Sequence, residues 1–469
     1  MLTKEQNKIV TADFDDILVI EAYAGCGKTS TLIKFCEKRK DKKILYLAYN
    51  KSMGDEAKQK FKHLKNVSVF TMHSLAFKQL EKTLRLKQRI LGNIKANDLF
   101  DFKSLKQLKD NNTKLKIINI FLKIYKSYCN SSENNLLSFS KKQLEDKALN
   151  LNTRISNAIM KELDENIKNN DNIIYEHDFY LKEFQLSNPV LEYDYILVDE
   201  AQDLNDCVID IVLQQKAKKV FIGDTYQSIY SFRGANNALN KLSNLKNANI
   251  LYLTQSFRCS PKIGELATII LKLNGAKNDF IGLNEKYIEN EQLTIITRTN
   301  AILFDTAIKY AEQEKSIYVV GDIKETCNEL IDICNLIINK KEYVKNEWYL
   351  KFSNFYDLTD FINATNDIEL KNKVVIICKY LSQNKSIYEL IKLLKKHLVN
   401  NMNNADYIIT TAHKSKGLEF LNVELTKDYK ISLEEKEELN LLYVAITRAK
   451  QNLIMPKDIL NFIQNNKEK

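Results

Sequence analysis

AYAGCGKTS, residues 22–30, is the stretch on which the reading of this chain turns. It follows DILVIEA (16–22) and runs into TSTLIKFCEKRK (29–40). The first segment is a short apolar run of the kind that forms a strand buried on both faces, and the second has helical spacing. Between them lies G-x-G-K-[ST], with a small residue at the first glycine position of the longer phosphate-loop pattern. Gly25 and Gly27 allow a tight turn whose backbone N–H groups, from Ala24 through Cys26 to Ser30, can face phosphate oxygens. Lys28 sets a positive charge against the β- and γ-phosphates, and the Thr29 hydroxyl can reach Mg²⁺. The segment therefore reads as a nucleoside triphosphate site that uses Mg²⁺.

Such a loop needs a carboxylate partner, and YILVDEAQD (195–203) supplies one. Its apolar run delivers Asp199 and Glu200 to the carboxyl end of a strand, where α/β sheets bind ligands. Asp199 is placed to hold the metal, and Glu200 to orient and deprotonate an attacking water. VFIGDTYQSIYSFRGA (220–235) is a further strand with a polar tip. In it Gln227 is a candidate sensor of the γ-phosphate, while Phe232 and Arg233 pair a flat ring with a cation, as single-strand binding requires.

The same apolar runs recur at KILYLAY (43–49), NVSVFT (66–71), ILYLTQS (250–256), LTIITRT (293–299), SIYVVGD (316–322) and DYIITTA (406–412), most of them followed by helical patterns. Alternation of this kind predicts an α/β fold of central parallel strands joined by right-handed crossovers. Residues 85–185 and 325–400 break the rhythm with helical spacing, apart from one candidate strand at VVIIC (374–378), and read as helical insertions. With 11 glycines and 3 prolines in 469 residues, flexible linkers are not expected.

A net charge of +10 fits an anionic polymer partner and equally fits an ordinary basic protein. Arginine occurs eight times, and Arg233, Arg258, Arg298 and Arg448 all fall in motif segments. The eight cysteines form no C-x-x-C pair, which argues against a zinc or iron–sulfur centre and for reduced thiols. MLTKEQNKIVTADFDD has no signal-peptide pattern, and no apolar run approaches membrane-spanning length, so a cytoplasmic protein without membrane contact is expected.

The order of the motifs carries a resemblance. AYAGCGKTST, LAYNKS (47–52), TMHSLAF (71–77), ILVDEAQDLN (196–205), IGDTYQSIYSFRGA (222–235), QSFR (255–258), TAHKSKGLEF (411–420) and LNLLYVAITRAK (439–450) stand in the order of superfamily 1 DNA helicases of the UvrD/Rep type. The chain is similar above all to the F-box DNA helicase branch and its compact bacterial relatives. The resemblance implies two RecA-like parallel-sheet motor domains, each with a mostly helical insertion. They would comprise 1–84 with 186–248 (1A) and 249–324 with 401–469 (2A), with insertions 85–185 (1B) and 325–400 (2B). It implies that Gln6 reads the adenine edge, Phe257 stacks on adenine, Glu419 beside Gly417 meets the ribose, and Arg258 and Arg448 reach the γ-phosphate. It places Asn50, Thr71, His73, Phe232, Arg233, Arg298, Thr411 and His413 along single-stranded DNA. Phe232 stands where the family often has Trp, and Ala48 and Tyr49 share the place of the usual aromatic in LAYNKS.

The implied activity is ATP-driven movement on single-stranded DNA, 3′→5′, coupled to duplex unwinding. The implied partners are single-stranded DNA, single-strand/duplex junctions and an unidentified protein loader, with the chain acting as a monomer. No nuclease, F-box or interaction module is expected after YVAITRAKQNLIM. Three other readings stay open: a translocase that strips proteins without unwinding, a nucleotide-dependent switch that is not a motor, and an RNA helicase.

Overall fold

The computed structural model describes residues 2–99, 102–106, 110–146, 153–170, 173–229, 238–365 and 367–466. Phe232 and Arg233 lie outside the described residues. The chain forms two compact units, one of residues 1–22 and 28–253, the other of residues 23–27 and 254–469.

The first unit is built on β1 (Ile17–Ala22), β2 (Ile44–Ala48), β3 (Val67–Thr71), β4 (Tyr195–Val198), β5 (Lys218–Gly223) and β6 (Ala248–Leu253), in spatial order β3-β2-β4-β5-β1-β6. Every pairing is parallel. All the carboxyl ends therefore lie on one edge, and the polar residues that follow each strand collect there. The expected two-sided burial is found at β1, β2, β4 and β5. It is not found at β3 and β6, which are the sheet edges; β3 is half-buried, and Ile250 and Tyr252 of β6 are exposed. An apolar run gives strand identity but not position in the sheet.

Between β3 and β4 the chain runs mostly through helices, among them Asn111–Cys129, Leu136–Asp146, Thr153–Asn169 and His177–Leu186. The apolar core continues from Val19, Leu45 and Ile196 of the sheet, through Leu75 and Ala76 of helix Met72–Leu80, to Ile159, Leu163 and Phe179 of this stretch. Arg89 helps to close it, donating to the carbonyls of Ile167 and Lys168 while its guanidinium lies 4.3 Å from the Tyr175 ring centroid.

In the second unit, β7 (Gln255–Ser256) and β8 (Ile281–Gly282) form a short parallel ladder. The main sheet holds β9 (Leu293–Thr297), β10 (Ile317–Val319), β11 (Tyr407–Thr411), β12 (Phe420–Leu425) and β13 (Ala449–Ile454) in order β10-β11-β9-β12-β13, again all parallel. β12 and β13 escaped the sequence reading because polar residues interrupt FLNVEL and AKQNLI, which are only partly buried.

VVIIC is not a strand. It lies inside helix Ile368–Ser382, capped by Asp367 through the Leu370 N–H at 2.9 Å. Leu370, Val374 and Ile377 form a buried face at helical spacing, while Val375 is exposed, so one-sided packing overrides the β-propensity of the run. Trp348 lies edge-on to Tyr349, Phe352 and Phe361 in an aromatic cluster. All eight cysteines are free thiols. Among the described residues no helix is long and apolar enough to cross a membrane.

One acid at the sheet's carboxyl edge had no sequence signal. Glu21, near the end of β1, accepts from the Thr225 hydroxyl at 2.6 Å. Burial pushes its carboxyl up to about 7, against the Thr225 hydrogen bond and with some help from Asp224. The native state thus holds this proton more tightly than the unfolded chain. Stability conferred by the protonated form is complete below about pH 4.5, falls as pH rises towards 7, and is lost above that. Glu21→Gln should remove this loss, which is worth roughly 3 kcal/mol. Denaturant unfolding at pH 5 and pH 8 should show the variant gaining on the parent at the higher pH; an equal difference at both pH values would contradict the assignment.

Candidate nucleotide site and strand groove

On the first unit the carboxyl ends of β1, β4 and β5 converge. Lys28, the first residue of helix Lys28–Glu37, places Nζ 2.8 Å from Glu200 Oε1, with both side chains largely buried. Burial alone would push the Lys28 ammonium down. Glu200 and then Asp199 outweigh it, and the net shift is upward, so Lys28 is charged. Asp199 is held above the usual carboxylate range by burial and by the neighbouring Glu200 charge. Its Oδ2 accepts from the Tyr46 hydroxyl at 2.5 Å and its Oδ1 from the Glu200 N–H at 2.9 Å.

Glu200 adopts φ 51° and ψ 43°, a left-handed conformation costly for a residue with a Cβ. The strain turns its carboxylate towards Lys28 and Gln202, whose Nε2 donates to Oε2 at 2.6 Å. The Gln202 side-chain oxygen accepts from the Asp224 N–H at 3.0 Å, tying the tip of β4 to that of β5. Gln227 donates to Asp224 Oδ2 at 2.7 Å from a short turn after β5. Thr29 is partly exposed and Ser30 exposed in the first turn of the same helix as Lys28. Gln6 is buried in a reciprocal cap of helix Lys4–Val10, where its Oε1 accepts from the Thr3 N–H at 3.0 Å. Tyr46 and Gln202 went unnoticed in the sequence. A tyrosine in a strand and a glutamine in a turn carry no chemical pattern until the strands are ordered.

The tip of the phosphate loop, residues 23–27, groups with the second unit. Gly25 and Gly27 have φ of 71° and 80°, where a side chain would be strained. A Cβ on Gly25 would also come within 2.5 Å of Arg258 Cβ and 2.7 Å of Ser256 Oγ. The Gly25 carbonyl accepts from the Phe257 N–H at 2.9 Å, and the Ala24 N–H donates to the Tyr443 hydroxyl at 3.0 Å. The Phe257 ring is exposed. Arg258 donates to Glu419 at 2.9 Å and to the Thr447 carbonyl at 3.2 Å, and Lys450 takes the other Glu419 oxygen at 2.5 Å. Burial would raise the Glu419 carboxyl, but Lys450 and Arg258 hold it below its ordinary range. Gly417, at φ 85°, opens onto free space.

Arg448 is placed differently from Arg258. It is 1% exposed, and its guanidinium donates to the Val444 and Leu418 carbonyls and to the Thr447 hydroxyl. Arg298 is held by Glu438 at 2.6 Å, so a phosphate contact there would require that pair to open. Thr411 is buried at the end of β11 and accepts from the Lys414 N–H at 3.3 Å; His413 follows, partly exposed.

Back on the first unit, Asn50 and Thr71 cap the helices Lys51–Phe61 and Met72–Leu80. With His73 they line a groove of about 720 Å³, which Tyr49, Phe70, Phe77 and Tyr180 furnish with ring faces and edges. Tyr49, sharing the displaced aromatic position of LAYNKS, is thus at the groove. A second cavity of about 390 Å³ is walled by Tyr49, Asn50 and His73 and also by Asp199, Asp203 and Asn205. The groove residues and the metal-binding candidate Asp199 therefore share a cavity.

Residues 2–247 match the UvrD/REP helicase N-terminal domain, and residues 406–455 match the UvrD-like helicase C-terminal domain. The chain is 32% identical to F-box DNA helicase 1 of Gallus gallus, over 98% of this chain and 49% of that protein. It is 29% identical to F-box DNA helicase protein 1 of Schizosaccharomyces pombe, over 97% and 57% respectively. A probable DNA helicase II homolog of Mycoplasma pneumoniae is 25% identical over 92% of this chain and 61% of its own length. The chain thus spans about half to three-fifths of the length of these relatives. With the N-terminal helicase domain alone matching residues 2–247 of 469, the chain belongs to the UvrD/REP helicase family.

Proposed function

We propose that this chain is a DNA-stimulated ATPase that moves along single-stranded DNA, 3′→5′, and unwinds duplexes at single-strand/duplex junctions. The observation that carries the reading is the single carboxyl edge of the first sheet. Lys28, Asp199, Glu200 and Gln227 lie there, and a shared cavity leads on to Asn50 and His73 in a groove furnished with aromatic rings. Similarity to proteins named as DNA helicases supports DNA as the polymer, and the family resemblance supports the polarity.

In this reading Lys28 neutralises the terminal phosphates, leaving Glu200 to accept a proton from the attacking water. The strained backbone of Glu200 and its hydrogen bond from Gln202 hold the carboxylate in place for that transfer. Asp199 and the Thr29 hydroxyl are hard oxygen donors of the kind Mg²⁺ takes beside phosphate oxygens and water. Tyr46 and the Glu200 N–H orient the Asp199 carboxylate for that role. When bound, Mg²⁺ would supply charge neutralisation at the transferring phosphoryl group. Arg258, against Gly25 of the phosphate loop, is the candidate arginine for transition-state charge, an interaction that can be worth roughly a thousandfold in rate. Phe257 offers its exposed ring to adenine.

The division that fits this activity is 1–84 with 186–248 and 249–324 with 401–469 as motor domains, with 85–185 and 325–400 inserted. The protein would act as a cytoplasmic monomer brought to its substrate by a loader.

Glu200→Gln and Lys28→Ala should each lower single-strand-stimulated ATP turnover by at least about a hundredfold; near-parental turnover in either purified variant would refute the site. Displacement assays on 3′-tailed, 5′-tailed and blunt duplexes should show strand separation with the 3′ tail alone. Stripping of a bound protein without strand separation would instead identify a translocase, and stimulation by RNA in place of DNA would identify an RNA helicase. The two arginines should separate. Arg258→Ala should cut turnover about tenfold or more with the unfolding midpoint little moved. Arg448→Ala should cost about 2–4 kcal/mol of stability, because it removes a buried side chain and its hydrogen bonds to the Val444 and Leu418 carbonyls. Calorimetry beside steady-state ATPase measurement checks both.

A further inference from the structure

A continuous polar chain joins the acid-bearing segment after β4 to the groove, and it passes through the helical insertion. Asn205, just past Asp199 and Glu200, caps helix Asp206–Leu213 by accepting from the Val208 N–H at 2.9 Å. The same side chain donates to Asn130 Oδ1 at 2.5 Å. Asn130 is also held through its backbone, its carbonyl accepting from the Cys207 N–H at 3.2 Å. Its side-chain N–H₂ donates to the Lys126 carbonyl at 3.0 Å and to Asp178 Oδ2 at 3.1 Å. The other Asp178 oxygen lies 3.1 Å from His73 Nε2.

Burial would raise the Asp178 carboxyl, but the hydrogen bonds from His73 and Asn130 outweigh it and hold it below its ordinary range. An ionised carboxylate only accepts, so His73 Nε2 carries a hydrogen. The His73 ring is fixed further by edge contacts with His177 and Tyr180, which line the same groove. Asn130 and Asp178 meanwhile form part of the wall of the cavity that Asp199 shares with His73.

From this geometry we infer that Asn130 and Asp178 are positioning residues that couple the nucleotide end of the first unit to its strand-binding groove. The inference rests on the function proposed above. A displacement of the Asn205 cap moves Asn130 through a side-chain and a backbone bond together. Asp178 can follow only by turning the imidazole it holds. The members of this part-buried chain are linked because Asn130 and Asp178 each serve partners on both sides, so that moving one shifts the bonds of the next. The insertion is then a coupling element as well as a cover for the sheet.

Asn130→Ser shortens the central link so that it cannot span Asn205 and Asp178. It should leave ATP turnover without DNA, and affinity for single-stranded DNA, within about twofold of the parent. Turnover at saturating DNA should fall about tenfold, within the range that coupling residues carry. Asp178→Asn should lower DNA-stimulated turnover in the same way, and the double variant should be no worse than the more impaired single one. Full stimulation in Asn130→Ser, multiplicative losses in the double variant, or an equal fall in DNA-free turnover would overturn the inference, the last by showing a merely structural role. The parent protein separates the two levels. If DNA stimulates it and the variants behave as the parent does, the coupling fails and the proposed function stands. If DNA does not stimulate the parent, both fall.

Discussion

A single ammonium faces three acids at the carboxyl edge of the first sheet. Lys28 is paired directly with Glu200, while Asp199 and Asp224 act on it through space. One cation cannot balance three buried carboxylates, and part of the cost is visible in Asp199, whose proton is held more tightly than usual. Such an imbalance is stable only because every carboxylate has donors: Tyr46 on Asp199, Gln202 on Glu200, Gln227 on Asp224. The cluster thus carries an excess of negative charge that any further cation would relieve. The strained Glu200 backbone serves the same cluster by aiming its carboxylate.

How much of this could be read from the residues depended on how local the determinant was. The loop at 22–30 and the acids at 199–200 are encoded within a few positions, so they were legible, as was the alternation that makes the sheets parallel. Edge or centre was not, because a strand's neighbours lie far away in sequence; β3 and β6 resemble the central strands in composition. VVIIC misled for the opposite reason. Its local preference is for a strand, and only packing on one face makes it helical. Glu21 and Tyr46 acquire meaning from partners some 150 to 200 positions away, and Gln202 from Asp224, 22 positions on and just past the next strand, and no spacing rule points to them.

The two motif arginines of the second unit show how a shared residue type can divide its work. Arg258 sits beside the phosphate loop with its charge engaged by a carboxylate that also binds Lys450, a pairing that can be exchanged. Arg448 donates to two main-chain carbonyls and a hydroxyl, joining helix Lys436–Ile446 to the segment just before β12. A planar five-donor group is suited to either task, and burial decides between them.

The order of the first sheet also bears on how the protein emerges from the ribosome. β1 is hydrogen-bonded to β5 and β6, whose residues begin at 218 and 248. The strand that presents the phosphate loop has no lateral partner until about two hundred further residues have been synthesised. At ordinary elongation rates that interval is on the order of ten to forty seconds. During it an apolar, β-prone segment stands unpaired, while β2, β3 and the helices that follow can already consolidate around one another. The cluster at the carboxyl edge is therefore assembled late, and any ligand that binds only after closure would favour the completed unit over its open precursors by mass action.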